Sequence, residues 1–122
     1  MKQANDFKNS NYIIQANSSL QEAMEIITAN HRGSAVVVDD KLHVIGVVTD
    51  GMIRRALLKG AVMRTTPVSQ ALNYNAIVVS SRDTATLKNP EKFFLEHWEV
   101  NVVPVVDEEN SLVDIMIRNA NH

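Results

Sequence analysis

The residues best placed to do chemistry fall in one run, Gly46-Val47-Val48-Thr49-Asp50-Gly51-Met52-Ile53-Arg54-Arg55-Ala56-Leu57-Leu58-Lys59-Gly60. An apolar strand there delivers a small hydroxyl, Thr49, and a carboxylate, Asp50, to the start of a helix. The backbone N–H groups of Gly51, Met52 and Ile53 lack intrahelical acceptors at that point, and the positive end of the helix dipole adds to their pull on anions. Arg54 and Arg55 follow within a turn. The same spacing equally describes an ordinary capped helix with a solvated basic face, so it permits an anion site without requiring one.

Other catalytic constellations fail on residue type or spacing. His31, His43, His97 and His122 contain no i, i+4 pair, and the absence of cysteine removes thiolate ligands and thiol nucleophiles alike, so no metal site is expected. Asp39, Asp40, Asp107, Glu108 and Glu109 cluster at two turns, where acids serve turn chemistry and solubility. No serine sits in a nucleophile elbow, and the glycines at 46 and 51 have the wrong spacing for a phosphate loop and no lysine beside them. The chain reads as non-enzymatic. With 12 Lys and Arg against 14 Asp and Glu, its net charge of −2 supplies no field for nucleic acid. A polar N-terminus and the lack of a long apolar run point away from membranes, and the lack of cysteine suits a reducing cytoplasm.

The elements that must hold these residues come in duplicate. In a chain of 122 residues, one domain's worth, Ser34-Ala35-Val36-Val37-Val38-Asp39-Asp40 and the following Val44-Ile45-Gly46-Val47-Val48 align without a gap, at an offset of 68, on Val102 to Glu108 and Leu112 to Met116. Each copy is an apolar strand, an acidic turn and a second apolar strand, which predicts a hairpin twice over. A helix precedes each hairpin. Ser19 with Glu22 forms a capping box ahead of Leu20, Ala23, Met24 and Ile27; Asn89 caps the second helix, Pro90 takes its first position, and Phe93, Phe94, His97 and Trp98 are expected to face the core. Before these helices stand short strands, Tyr12-Ile13-Ile14 and Ile77-Val78-Val79, at an offset of 65, so three extra residues fall in the loop from Ser80 to Leu87. Thr49 or Asp50 caps a further helix, Met52 to Lys59, ended by Gly60; a polar linker with a short helical turn at Val68 to Leu72 leads into the second copy.

The fold expected is α+β: two strand-helix-strand-strand-helix repeats, about residues 11–60 and 75–118 around a linker at 61–74, packed about a pseudo-twofold axis, with the last helix of the second repeat missing or truncated.

These residues resemble a tandem pair of CBS domains, the module of cystathionine-β-synthase type also called a Bateman module. The likeness covers residues 11 to 118, and Thr49-Asp50-Gly51 with Ile53-Arg54-Arg55 is similar to the CBS pair preceding bacterial sugar-phosphate nucleotidyltransferase domains. The resemblance implies a cleft between the repeats that binds AMP, ADP, ATP or S-adenosylmethionine as a regulatory ligand, with no cofactor required. The family's site motif places its glycine at Gly46 and its hydroxyl at Thr49, but its ribose-binding aspartate falls on Met52, and a thioether is a poor acceptor. Asp50 comes two residues too early and would repel phosphate. In the second repeat the three positions are Asp114, Ile117 and Ala120, and no polar ligand group is expected to survive there. At most one competent site is therefore expected, formed by Gly46, Thr49, Asp50 and Met52, with Arg54 or Arg55 on phosphate and apolar edges such as Ile13, Ile14, Ile77 or Val78 against a base.

Two functions remain open at this level. The first is a non-enzymatic regulatory module that senses an adenosine nucleotide and controls an attached sugar-phosphate nucleotidyltransferase. The second is a ligand-free pair that forms a homodimer through Met52 to Leu58 and the region from Phe93 to Trp98.

Overall fold

A computed structural model describes residues 10–119. The first repeat comprises β1 (Ile13–Gln15), α1 (Leu20–Asn30), β2 (Ser34–Val38), β3 (Val44–Thr49) and α2 (Asp50–Leu58). The Ser19 hydroxyl accepts from the Glu22 N–H at 3.2 Å and the Glu22 carboxylate accepts from the Ser19 N–H at 3.4 Å, closing the capping box. α1 carries the chain across, so β1 pairs parallel with β2, and a tight turn makes β3 antiparallel to it. Every residue of β2 is buried because both of its faces are covered.

The second repeat has β4 (Val79–Ser80), α3 (Thr84–Lys88), α4 (Pro90–Glu96), β5 (Val102–Val106) and β6 (Leu112–Ile117). Its sheet, β4-β5-β6, has the order of β1-β2-β3, and the bulge at Ile45 recurs at Val113. Three expectations change here. The first strand shrinks to Val79–Ser80. Val106 accepts from the Ser81 N–H on the β4 side, and residues two apart point their backbone groups alike, so the N–H that Pro104 lacks is one β4 would have used. The loop from Ser80 to Leu87 instead winds into α3, capped by Asp83, which then breaks at Asn89 because the residue before a proline is driven out of helical geometry. Of the stripe expected inward, Phe94 is 5 % exposed and Phe93 packs half-buried against the same cluster; α4 stops at Glu96, and Trp98 beyond it is 81 % exposed.

The two sheets face each other across a central layer in which Ile13, Val36, Val38 and Val44 meet Val102, Val106, Leu112 and Ile115. The pseudo-twofold axis passes between the hairpin tips. The Val44 N–H donates to Asn110 at 3.0 Å and the Leu112 N–H to Leu42 at 2.8 Å, the same bond made twice at the sequence offset. Leu42 and Asn110, each with φ of 65°, occupy matching left-handed turn positions. Outside the sheets the halves differ. Under α1 and α2, Ile14, Leu20, Ile27, Val37, Val48 and Ile53 form a large apolar layer, while over the second sheet the buried cluster is smaller: Val79, Phe94, Val103, Val105 and Met116 among the described residues.

The segment between the repeats is part of the first repeat's shell. Its Thr66 and Met63 carbonyls accept from the Leu20 and Gln21 N–H groups, which α1 cannot satisfy itself, Val68 and Leu72 are buried, and Asn73 exchanges two backbone bonds with Val47.

Candidate functional site

β3 ends by turning directly into α2, and this corner presents the residues singled out from the sequence. Thr49 is the N-cap: its hydroxyl accepts from the Met52 N–H at 3.2 Å. The Asp50 carboxylate accepts from the Gly51 N–H at 2.9 Å, and the Asp50 N–H donates to the Gly33 carbonyl at 3.1 Å. The chain's own side-chain oxygens thus occupy two of the three donors that were expected to attract an external anion, those of Gly51 and Met52. Arg54 approaches Asp50 at 3.9 Å on the exposed side of α2, and the Arg55 guanidinium folds back beside Gly51.

Next to this corner lies a cleft of about 380 Å³ between the two repeats. Thr49 and Met52 form its first-repeat wall above Ser34 and Val47; Asn75 and Ile77 enter from the connecting segment; Glu99 and Asn101 come from the loop before β5. Among the described residues, Glu99 is the only charged one in the lining, and its carboxylate lies 3.7 Å from the His97 ring.

Of the ten residues expected at the site, the cleft gathers Thr49, Met52 and Ile77. Asp50, Arg54 and Arg55 stand at the helix start without lining it. Ile14 is buried under α1, because adjacent strand residues point to opposite faces and Ile13 takes the inter-sheet side. Gly46 serves a contact between backbones: a Cβ there would overlap the Asn73 carbonyl oxygen and come within 2.6 Å of Leu72. Asn75, Glu99 and Asn101 were not legible as site residues; they belong to irregular segments that carry no motif and reach the cleft only through the pairing of the repeats.

The counterpart cleft, about 480 Å³, is lined by Arg32, Pro90, Glu91, Phe94 and Ile117 to Asn119. Two arginines reach it from outside the motif positions. Asp114 is exposed and accepts from the Ile115 N–H, and Ala120 lies outside the described residues. Among the described residues there is no cluster of three or more His, Asp or Glu suited to a metal, and no helix is long and apolar enough to cross a membrane.

Residues 4–59 match the CBS domain family. Arabinose 5-phosphate isomerase GutQ of Salmonella typhi is 35 % identical over 95 residues, 78 % of this chain and 28 % of that protein. The chain therefore spans little more than a quarter of the length of this curated relative. The CBS-pair protein CBSX2 of Arabidopsis thaliana superposes with a TM-score of 0.67 at 21 % identity, covering 92 % of this chain and 84 % of its own. The protein CbpB in complex with c-di-AMP gives 0.71 at 16 %, covering 91 % and 73 %, and the cytosolic domain of the Mg2+ channel MgtE in complex with ATP gives 0.62 at 22 %, covering 88 % and 42 %. The fold is that of a CBS pair, and the family match over the first repeat with the duplicated architecture supports a tandem CBS module.

Proposed function

We propose that this chain is a regulatory module that takes an adenosine-containing ligand in the cleft beside Thr49 and passes its occupancy to a sugar-phosphate enzyme. The observation that carries the reading is the cleft itself: about 380 Å³, between repeats, with apolar walls from Val47, Met52 and Ile77 and the polar residues Asn75, Glu99 and Asn101 in its lining. A site of that size and lining is of the kind that orients a small molecule by a few polar contacts. The solved CBS-fold proteins in complex with ATP and with c-di-AMP support an adenine ligand. The enzyme context is drawn from the isomerase relative, which handles a sugar phosphate as the expected nucleotidyltransferase would; AMP, ADP, ATP and S-adenosylmethionine are the candidate ligands. For transmission, the ligand must bind two arrangements of the repeats with different affinity.

A second reading has its own observation. Met52 stands where an acceptor for ribose hydroxyls is expected, the Thr49 hydroxyl already accepts from a backbone N–H, and Leu58 and Trp98 are 84 % and 81 % exposed. On that reading the pair is ligand-free and dimerises through these faces. Thermal-shift titration with the four ligands separates the two: stabilisation rising with ligand concentration supports the first, and none with any of the four supports the second.

A further inference from the structure

The first cleft is poor in positive charge. Among the described residues no arginine, lysine or histidine lines it, and its only charged group is the Glu99 carboxylate. The groups that could have drawn a phosphate are engaged elsewhere. At the start of α2 the Gly51 and Met52 N–H groups donate to Asp50 and Thr49, and Arg54 turns to Asp50 on the exposed side of the helix. Neutral polar side chains of the lining are also taken: Asn101 donates through Nδ2 to the Arg32 carbonyl at 3.2 Å and accepts through Oδ1 from Arg118 Nε at 3.0 Å, while Asn73 Oδ1 accepts from the Asn75 N–H at 3.0 Å. Glu99 differs. Its carboxylate has the His97 ring as a neighbour at 3.7 Å, too far for a hydrogen bond, so it stays open to a donor.

That lining sorts ligands by charge. A nucleoside sugar brings hydroxyl donors, which meet a thioether at Met52 but an ionised acceptor at Glu99, on the wall supplied by the facing repeat. A phosphate brings negative charge, which Glu99 and Asp50 repel. We propose that Glu99 sets the specificity of the first cleft, selecting a nucleoside that is uncharged or carries a positive group, such as a sulfonium, over one that carries phosphate. The proposal deepens the reading of this cleft as a site for an adenosine-containing ligand and rests on it.

Calorimetric titration of the chain with S-adenosylmethionine, S-adenosylhomocysteine, adenosine, AMP and ATP, in buffer without divalent cations, tests it. S-adenosylmethionine should bind tighter than its uncharged thioether analogue S-adenosylhomocysteine by about two- to fivefold, the range of a solvent-exposed charge pair, and adenosine tighter than AMP or ATP. Both gaps should narrow as salt rises. Glu99→Gln, which keeps the size and removes the charge, should close them; Glu99→Asp should preserve them, and so should Glu25→Gln, the same loss of charge at an exposed position on α1. AMP or ATP binding tighter than adenosine overturns the proposal, as do gaps that persist in Glu99→Gln with an unchanged unliganded melting temperature; in either case the cleft remains a ligand site. Binding of none of the five compounds removes the proposed function of the cleft and this inference with it.

Discussion

A methyl group at residue 46 would collide with the Asn73 carbonyl oxygen, which belongs to backbone that is itself tied to Val47 by two hydrogen bonds. Gly46→Ala is therefore expected to cost about 1–3 kcal/mol, read as a lower urea midpoint, whether or not any ligand is present. The motif glycine is explained here by packing alone. Thr49→Val removes the hydroxyl that caps α2 and should cost about 1 kcal/mol, together with any ligand contact the hydroxyl makes. Asp39 carries a pH dependence. Slight burial pushes its carboxyl up, and this is outweighed by the His43 N–H, the His43 ring, the Lys41 N–H and the charge of His43, which leave it below its ordinary 3.8. Folding thus favours the charged form, so its contribution is present above the ordinary carboxylate range and is lost as pH falls through the lower folded value. The stability gap between the native chain and Asp39→Asn, measured by denaturant unfolding, should be seen at neutral pH and close in acid.

Among the elements, α4 offers the sharpest contrast. Phe94 is buried under the second sheet's small apolar layer, so Phe94→Ala should cost about 3–5 kcal/mol, whereas Trp98→Ala, at a side chain 81 % exposed, should change stability by no more than about 0.5 kcal/mol. Loss of dimer mass in Trp98→Ala with the fold intact would favour the structural reading of the module. The capping box, both hairpins and the start of α2 were legible because each rests on bonds between residues two to four apart. Reading Phe93 to Trp98 as one stripe failed because helical periodicity says nothing of where a helix ends, and α4 ends at Glu96. The shortened β4 was hidden for a related reason: the residue that limits it, Pro104, lies on the neighbouring strand. Ile13 and Ile14 could not be told apart because both faces of β1 are buried, which erases the alternation that would have assigned them.

At the scale of the molecule, the offset of 68 determines more than a repeated pattern: it sets the bonds from Val44 to Asn110 and from Leu112 to Leu42 that clamp the two sheets tip to tip. Pairing the repeats creates two clefts that cannot exist in either half. Their walls come from irregular segments at 73–77, 99–101 and 32, so the half of each site supplied by the opposite repeat was the part that sequence motifs did not disclose. Any restored acid at residue 52 would face this composite wall. Met52→Asp should therefore tighten adenosine binding, roughly five- to 150-fold if it recovers one or two hydrogen bonds to ribose, and thermal-shift titration reads the gain directly. The most direct measurement is the melting temperature of the unmodified chain across a concentration series of AMP, ADP, ATP and S-adenosylmethionine. A rise that grows with the logarithm of ligand concentration for at least one of them, and that Thr49→Val reduces, is the expected result; a melting temperature unmoved by all four would contradict a sensing role for the first cleft.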